Sequence, residues 1–304
     1  MKSAPSRFAT LAALAALLHL LAPGASAKDA ARSVRDDTGD TVAVSAAPCR
    51  IVSLAPGTTA MLYAAGAGRC LVGTIAHSTE PAEAAQVPVV GDAETLDFEQ
   101  LLALRPTVVV VAVDVVQRVR IDRLRQLGLP VYQVHVTSLA GMPQSLRRLG
   151  ELTGTRREAQ RAADALDADL AKITTTFRGR APVRVLYQIW DKPIYTIGGK
   201  HVISDALATC GAVNVFGELG TAAPAVTREA AVLADPDLIL ASAPPGAATE
   251  WLAEWRKFPS LKAVRGGHIV EYTDERIDRM GPSVVAATSH LCDVIDAARA
   301  PRHD

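Results

Sequence analysis

Short apolar runs alternate with polar or amphipathic segments along the chain, and this pattern predicts buried strands separated by helices. The predicted strands are Arg50–Leu54, Leu71–Thr74, Val108–Val113 and Val131–His135 in the first half, and Val183–Gln188, Leu238–Ala241 and His268–Tyr272 in the second. The predicted helices lie at about Thr58–Ala65, around Glu99, at Val116–Leu127, at Val202–Thr209, around Glu229 and at Ser283–Ala298. Alternation of this kind is typical of an α/β fold with parallel sheets and right-handed crossovers.

One long amphipathic helix is predicted between the two halves, from about Thr155 to Phe177. Its apolar stripe recurs at steps of three and four residues, at Ala159, Ala163, Leu166, Leu170, Ile173 and Phe177. At ~1.5 Å per residue the helix would span roughly 34 Å, the width of a small domain. We therefore expect two similar lobes, residues 28–150 and 181–304, joined by a rigid backbone helix within residues 151–180.

A short pattern that occurs once in each half supports the two similar lobes. In both copies an Asp or a Thr precedes a short helix, an acid lies in the first turn, and a Pro ends the helix before an apolar run. The two acids are Glu99 and Glu229. A second, weaker internal repeat relates Leu62–Ala67 to Leu207–Ala212. Helix–proline–strand segments are common in α/β proteins, but two internal repeats in the same order along the chain favour a bilobal protein.

The first 27 residues have the pattern of an export signal. Lys2 and Arg7 are basic, Phe8–Ala22 is mostly apolar, and Ala25–Ala27 fits the small-x-small cleavage site. The apolar run is shorter than the ~20 residues that a membrane span needs. We predict a signal peptide at residues 1–27, an extended leader at Lys28–Ala47, and a soluble protein in the periplasm.

Four cysteines follow the predicted signal, in an oxidising compartment, and they allow three pairings. Cys49 and Cys70 each precede a predicted strand, and neighbouring parallel strands that start together would bring the two thiols close. Cys210 ends a predicted helix and Cys292 lies in the last one. The favoured disulfides are therefore Cys49–Cys70 and Cys210–Cys292, with the other pairings still open.

Composition and the absence of catalytic motifs narrow the functional classes. The 32 Lys and Arg residues are balanced by 32 Asp and Glu residues, which argues against nucleic acid or an anionic membrane as a partner. The sequence has no phosphate-binding loop, dinucleotide fingerprint, serine-hydrolase elbow or zinc-protease motif. The His residues are scattered, without an i,i+4 pair. We therefore expect no enzyme activity, no cofactor and no dedicated metal site.

Several segments, in their order, carry a resemblance to a known family: Arg50–Pro56, Leu62–Gly66, the Glu99 and Glu229 helices, Tyr195–Gly199 and Leu291–Cys292. Nearly the whole mature chain resembles the periplasmic binding proteins of ABC importers that have a rigid helical backbone, and among them the cobalamin-binding type. The resemblance implies a monomer that binds cobalamin or a related metal chelate between two lobes. It also implies delivery to an inner-membrane ABC permease with its ATPase, and no catalysis.

The resemblance assigns roles to individual residues. Glu99 and Glu229 match acids that meet arginines on the two permease subunits, although acids at helix starts can also serve only to stabilise the helix dipole. The residues at ligand-contacting positions are Pro56, His77, Trp190, Tyr195, Asp274 and Arg279. Asp274 and Arg279 would bond corrin amides, Tyr195 and Trp190 would pack on the macrocycle, and His77 could ligate cobalt or iron. The alternatives are an exposed ion pair for Asp274 and Arg279, a role in lobe packing for Trp190, and an exposed loop position for His77.

The chain also departs from that family. Ala93, Ala112 and Ala223 occupy positions where cobalamin binders carry Trp, which implies a wider and less aromatic pocket. Asp92 stands where haem-binding relatives carry a Tyr ligand. A corrinoid is therefore the leading ligand, with haem, an iron–siderophore or another metal chelate as alternatives. An exported enzyme or an adhesion module on the same fold is a further alternative.

Overall fold

The computed structural model describes residues 32–44, 49–92, 94–243 and 246–299. The predicted signal peptide and Ala93 lie outside these ranges. The described residues form two α/β lobes, each with its own sheet, and a long helix between them, which confirms the predicted fold class. No helix within these ranges combines the length and the apolar character that a membrane span requires.

The first described segment forms an antiparallel hairpin with strands β1 (Arg32–Arg35) and β2 (Thr41–Val44). Residues 32–44 of the extended or frayed leader predicted for Lys28–Ala47 therefore form a hairpin instead, and the rest of that segment lies outside the described residues. Asp36 closes the turn by accepting hydrogen bonds from the backbone N–H groups of Thr38 and Asp40. Its second oxygen accepts from the backbone and side-chain N–H groups of Gln133, which ties the hairpin to the first lobe. The hairpin was missed because its stabilising partner lies far away in sequence.

The first lobe is built on a four-stranded parallel sheet in the order β4, β3, β5, β6. Its strands are β3 (Ile51–Ser53), β4 (Leu71–Gly73), β5 (Val108–Ala112) and β6 (Val131–Val134). Its helices are α1 (Pro56–Ala64), α2 (Phe98–Ala103), α3 (Arg118–Gln126) and α4 (Gly141–Thr153). Nearly every strand residue is buried, as expected where helices cover both faces of a parallel sheet.

Helix α4 packs against the predicted long helix, which is α5 (Arg156–Phe177). Gly154, with φ +78°, ends α4 and turns the chain back on itself. Gly150 allows close packing, because a Cβ there would lie 2.3 Å from the Cβ of Ala159. The sequence analysis missed α4, since it begins at Gly141, contains Pro143 and has no capping side chain. Packing on α5, and not intrinsic helix propensity, stabilises it.

The second lobe is built on a six-stranded mixed sheet. Its strands are β7 (Val183–Trp190), β8 (Ile194–Thr196), β9 (Ala212–Asn214), β10 (Ala225–Val226), β11 (Leu238–Ser242) and β12 (Ile269–Tyr272). Its helices are α6 (Val202–Thr209), α7 (Arg228–Ala234), α8 (Ala248–Trp255), α9 (Lys262–Arg265) and α10 (Ser283–Ala297). Strands β9, β7, β11 and β12 pair in parallel, whereas β8 and β10 add an antiparallel edge that the sequence did not predict.

The duplicated pattern has the same local structure in both lobes. Asp97 caps α2 and Thr227 caps α7, each by accepting a hydrogen bond from the backbone N–H three residues later. At the other end, Arg50 and Arg184 donate to a carbonyl at the C-terminal end of α2 and α7, at 3.0 and 2.8 Å respectively. The two short helices are therefore attached to their own sheets in the same way.

Both favoured disulfides are present in the structure. Cys49–Cys70 joins the starts of β3 and β4, and Cys210–Cys292 joins the end of α6 to α10. The second pair is fully buried in the core of the second lobe.

Removing Cys210–Cys292 should lower the free energy of unfolding more than removing Cys49–Cys70. The two bonds join residues 82 and 21 positions apart. In the chain-entropy model these loops correspond to about 4.5 and about 3.3 kcal/mol. We expect Cys210→Ala/Cys292→Ala to unfold at a lower urea concentration than Cys49→Ala/Cys70→Ala, followed by circular dichroism. Equal midpoints, or the reverse order, would contradict this ranking.

Candidate functional site

A cavity of about 730 Å³ opens between the two lobes. Much of its wall comes from segments at or after the carboxyl ends of the parallel strands of both sheets, such as Pro56 after β3 and Ser242 at the end of β11. This is the edge at which open α/β sheets bind their ligands. The first lobe contributes Pro56, His77, Thr79, Ala112, Asp114 and Val136, among others, and the second contributes Trp190, His201, Ala223, Ser242, Trp251 and residues 275 and 278–280.

The lobes meet beside the cavity at Gly57, in the first turn of α1. A Cβ at this position would lie 2.5 Å from the carbonyl oxygen of Arg279 and 2.6 Å from that of Met280. Met280 itself has φ +55°, a left-handed conformation that costs about 1–2 kcal/mol for a residue with a side chain. Surrounding contacts must hold such a residue in place. The absence of a side chain at Gly57 thus allows the two lobes to touch.

Hydrogen bonds between described residues also join the lobes. They run from Arg279 Nη1 to Thr79 Oγ1 (3.3 Å), from Ser283 Oγ to Glu80 Oε2 (2.9 Å) and from the Leu139 backbone N–H to Asp205 Oδ2 (2.7 Å). Together with the Gly57 contact, they join the two lobes at the cavity walls.

Four of the six predicted ligand residues line the cavity: Pro56, His77, Trp190 and Arg279. His77 is exposed and adopts φ +66°, which is uncommon for a residue other than glycine. The structure does not bring Tyr195 or Asp274 to the cavity wall. Tyr195 lies between two buried residues of β8 and so points to the other face of that strand.

Asp274 is engaged elsewhere. It caps a short 3₁₀ helix and accepts hydrogen bonds from Nε and Nη2 of Arg276 at 2.7 and 2.6 Å. The Arg276 guanidinium holds the pKa of the Asp274 carboxyl below its usual range. Glu275 lines the cavity instead and pairs with Arg279 at 3.2 Å. Two adjacent acids are indistinguishable by type, so only the turn geometry decides which one faces the cavity.

The structure adds cavity residues that the sequence analysis did not name. Ser242 donates a hydrogen bond of 2.6 Å to Asp278, and both residues line the wall. The surrounding protein desolvates the Asp278 carboxyl and raises its pKa, while the bond from Ser242 opposes this rise. Trp251 packs edge-on against Trp190, with ring centroids 5.8 Å apart and planes at 60°. Only 4% of the residues are aromatic, so each Trp is a candidate for ligand contact, and this was the feature of the sequence that could have identified Trp251.

The cavity histidine at the start of α6 is constrained by the fold. Nδ1 of His201 accepts a hydrogen bond from the Ile203 backbone N–H at 3.2 Å and so caps the helix. Burial lowers the pKa of His201, and Asp114 acts in the opposite direction. Within the described ranges, no group of three or more His, Cys, Asp or Glu residues is placed to hold a metal ion.

Glu99 and Glu229 lie in the first turns of α2 and α7, outside the cavity lining. Both are exposed, and neither forms an ion pair with another described residue. Hydrogen bonds from its own backbone and from Thr227 lower the pKa of the Glu229 carboxyl. An exposed leucine accompanies each acid on its helix, Leu102 on α2 and Leu233 on α7, and Leu233 is 87% exposed.

Comparison with known proteins identifies similar chains. Residues 51–276 match the family model described as periplasmic binding protein. The vitamin B12-binding protein of Vibrio parahaemolyticus serotype O3:K6 is 26% identical over 253 residues, which cover 83% of this chain and 91% of that protein. The crystal structure of the periplasmic vitamin B12 binding protein BtuF of Vibrio cholerae superposes with a TM-score of 0.76 at 27% identity, covering 83% of this chain and 98% of that one. The periplasmic heme-binding protein RhuT from Roseiflexus sp. RS-1 shares the fold, with a TM-score of 0.71 at 23% identity over 83% of this chain and 99% of that one.

The chain therefore belongs to the periplasmic binding protein family. It is a substrate-binding protein and not an enzyme, as the sequence analysis predicted.

Replacing Gly57 by Ala should destabilise the contact between the lobes. The added Cβ would overlap two backbone carbonyls of the second lobe, which cannot rotate away as a side chain can. Overpacking of this kind costs about 1–3 kcal/mol. Gly220→Ala is the matched control, because a Cβ there has no atom within 4 Å. We expect urea unfolding to show a lower midpoint for Gly57→Ala only. A Gly57→Ala midpoint equal to that of the control would show that this contact does not set the spacing.

Proposed function

We propose that this chain captures a corrinoid in the interlobe cavity, in the periplasm, and delivers it as a monomer to an inner-membrane ABC permease with its ATPase. The observation that carries the proposal is the cavity itself, placed between two lobes in a chain that resembles vitamin B12-binding proteins over most of its length. Its volume lies in the upper part of the range of about 300–1,000 Å³ that is typical of small-molecule sites. The export signal predicted at residues 1–27 supports the periplasmic location.

The polar groups of the second lobe suit a ligand that carries amide side chains. A corrinoid periphery offers both amide N–H donors and carbonyl acceptors. Arg279 supplies donors, and the carboxylates of Glu275 and Asp278 supply acceptors on the same wall. Trp190, which is 56% exposed, supplies an apolar surface for the macrocycle. We assign ligand contact to these residues together with Pro56.

Haem is the second candidate, and His77 is the observation that favours it. A neutral imidazole on the cavity wall can ligate the iron of haem as well as the cobalt of a corrinoid. Asp92 offers no replacement for a tyrosine ligand, because one of its oxygens accepts hydrogen bonds from the backbone N–H groups of Glu94 and Thr95. Of the two histidines on the cavity wall, His201 is partly buried and uses Nδ1 to cap α6, whereas His77 is exposed, so we assign the haem ligand to His77.

The two acidic helices suit a permease built around a two-fold axis. Glu99 and Glu229 occupy equivalent places on the two lobes, and each is exposed beside an exposed leucine. One negative charge per lobe complements a partner that presents one basic group per subunit. We therefore assign these acids to docking and not to ligand binding.

One molecule of cyanocobalamin should bind per chain, because the proposed site is a single cavity shared by both lobes. Isothermal titration calorimetry with cyanocobalamin, dicyanocobinamide and haemin measures this directly. Binding of haemin alone would overturn the corrinoid assignment and leave the family assignment intact. In that case loss of the haem Soret shift in His77→Ala would identify the iron ligand.

Reversing both acidic charges should abolish transport without removing ligand affinity. In Glu99→Lys/Glu229→Lys, like charges would face the basic groups of the permease, so uptake should fall to background in a reconstituted transporter assay. The affinity for cyanocobalamin should stay within about threefold, since both acids lie outside the cavity lining.

Glu151→Lys/Asp169→Lys changes the net charge equally at exposed positions away from the two acidic helices and is the matched control. Normal uptake by the Glu99/Glu229 double variant, or an equal loss in the control, would contradict the docking role.

A further inference from the structure

We infer that Trp251 and Trp190 form an aromatic corner that makes the cavity select a corrinoid over a flat porphyrin, an inference that rests on the proposed capture of a corrinoid. The corner consists of the two indole rings and the angle between them. Trp251 is the specificity-determining residue, because its ring sets that angle.

The two indoles are the aromatic rings, other than imidazoles, that line the cavity within the described residues. Their centroids lie 5.8 Å apart and their planes meet at 60°. The wall around them includes small residues such as Ala222, Ala223 and Ala243. Contact with an indole π surface in this cavity is therefore made by these two tryptophans.

A second contact joins the two elements that carry the corner. Behind the cavity, Nε1 of Trp255 on α8 donates a buried hydrogen bond of 2.7 Å to Oε1 of Gln188 on β7. Trp251 and Trp255 are separated by one helical turn, and Gln188 and Trp190 by two strand positions. Helix α8 and strand β7 are thus joined twice, once by a buried hydrogen bond and once by the ring pair at the cavity surface. The buried bond fixes the position from which Trp251 projects.

The Trp255 ring is itself fixed on its other side. The Arg228 guanidinium lies over it, 4.9 Å from the ring centroid, and also reaches Asp191 at 3.5 Å. A cation over an indole is stabilising, and the more so where water is excluded. These contacts hold together the two elements from which Trp190 and Trp251 project, and on this wall the two rings meet at 60°.

Two rings at 60° cannot both stack on one flat surface. If one ring lies parallel to a bound macrocycle, the other must meet groups that project from the macrocycle plane. A corrin is partly saturated and carries methyl and amide groups above and below its plane, whereas a porphyrin is flat and its substituents lie at its edge. A corrin therefore offers the second ring methyl and amide groups above its plane, which a flat porphyrin lacks.

The test compares ligand selectivity in Trp251→Leu, Trp251→Phe and the wild-type protein. Cyanocobalamin and haemin are titrated by calorimetry, and the ratio of their Kd values is the readout. We expect Trp251→Leu to weaken cyanocobalamin binding about tenfold, to change haemin binding by less than about twofold, and so to lower the selectivity. Trp251→Phe keeps an aromatic edge and should lose less affinity.

Phe258→Leu is the matched control. Phe258 contacts Trp255 at a centroid distance of 6.2 Å but does not line the cavity, so its replacement tests general loosening of this region. Oxidative footprinting with mass spectrometry measures whether the ligand covers each tryptophan, which a purely structural role of Trp251 would not produce. Cyanocobalamin should protect Trp190 and Trp251 from oxidation, whereas the buried Trp255 should resist oxidation in both states.

The outcomes separate this inference from the proposed function. If wild-type protein binds cyanocobalamin but Trp251→Leu keeps the same affinity and selectivity, the aromatic corner is refuted and corrinoid capture stands. An equal loss in Phe258→Leu, or equal losses for both ligands, also refutes it. If wild-type protein binds no corrinoid, the proposed function fails and the inference fails with it.

Discussion

The close approach of Gly57 to the carbonyls of Arg279 and Met280 sets the distance between the two lobes, and the cavity depends on that distance. Hydrogen bonds between the lobes, including the one from Ser283 to Glu80, also hold them at this distance. Helix α5, continuous over 22 residues, adds a rigid connection between the lobes. Because a packed contact of this kind has few alternative arrangements, the cavity walls are preorganised before a ligand enters.

The distance between the lobes affects two surfaces with different roles, namely the cavity and the pair of acidic helices. The cavity lies at the carboxyl ends of the strands, whereas Glu99 and Glu229 lie at the starts of α2 and α7. Arg50 and Arg184 tie the ends of these helices to their own sheets through equivalent hydrogen bonds. A fixed distance between the lobes therefore also fixes the distance between the two acids. A symmetric partner would meet a rigid pair of charges, which supports the docking role that we propose.

Local signals in the sequence predicted most of the fold and part of the site. The buried strands, the long helix and the duplicated capped helices follow from apolar runs, periodicity and caps, and the structure confirms them. The hairpin closed by Asp36, helix α4 and helix α8 depend on distant partners or have weak helix signals, so no local pattern indicated them. For the site, Asp274 and Glu275 show what the local sequence could not predict. Both are acidic, and only the 3₁₀ turn places Glu275 beside Arg279 while Asp274 pairs with Arg276.

Crystal structures of the mature protein with and without cyanocobalamin test the central claim most directly, namely that a cavity of fixed width accepts the ligand. The account predicts electron density for the corrin between the wall that carries Trp190 and the start of α1. It also predicts that the backbone distance from Gly57 to Arg279 is the same in both crystals. Lobes that separate or close by a hinge on binding, or a ligand bound outside this cavity, would contradict the account.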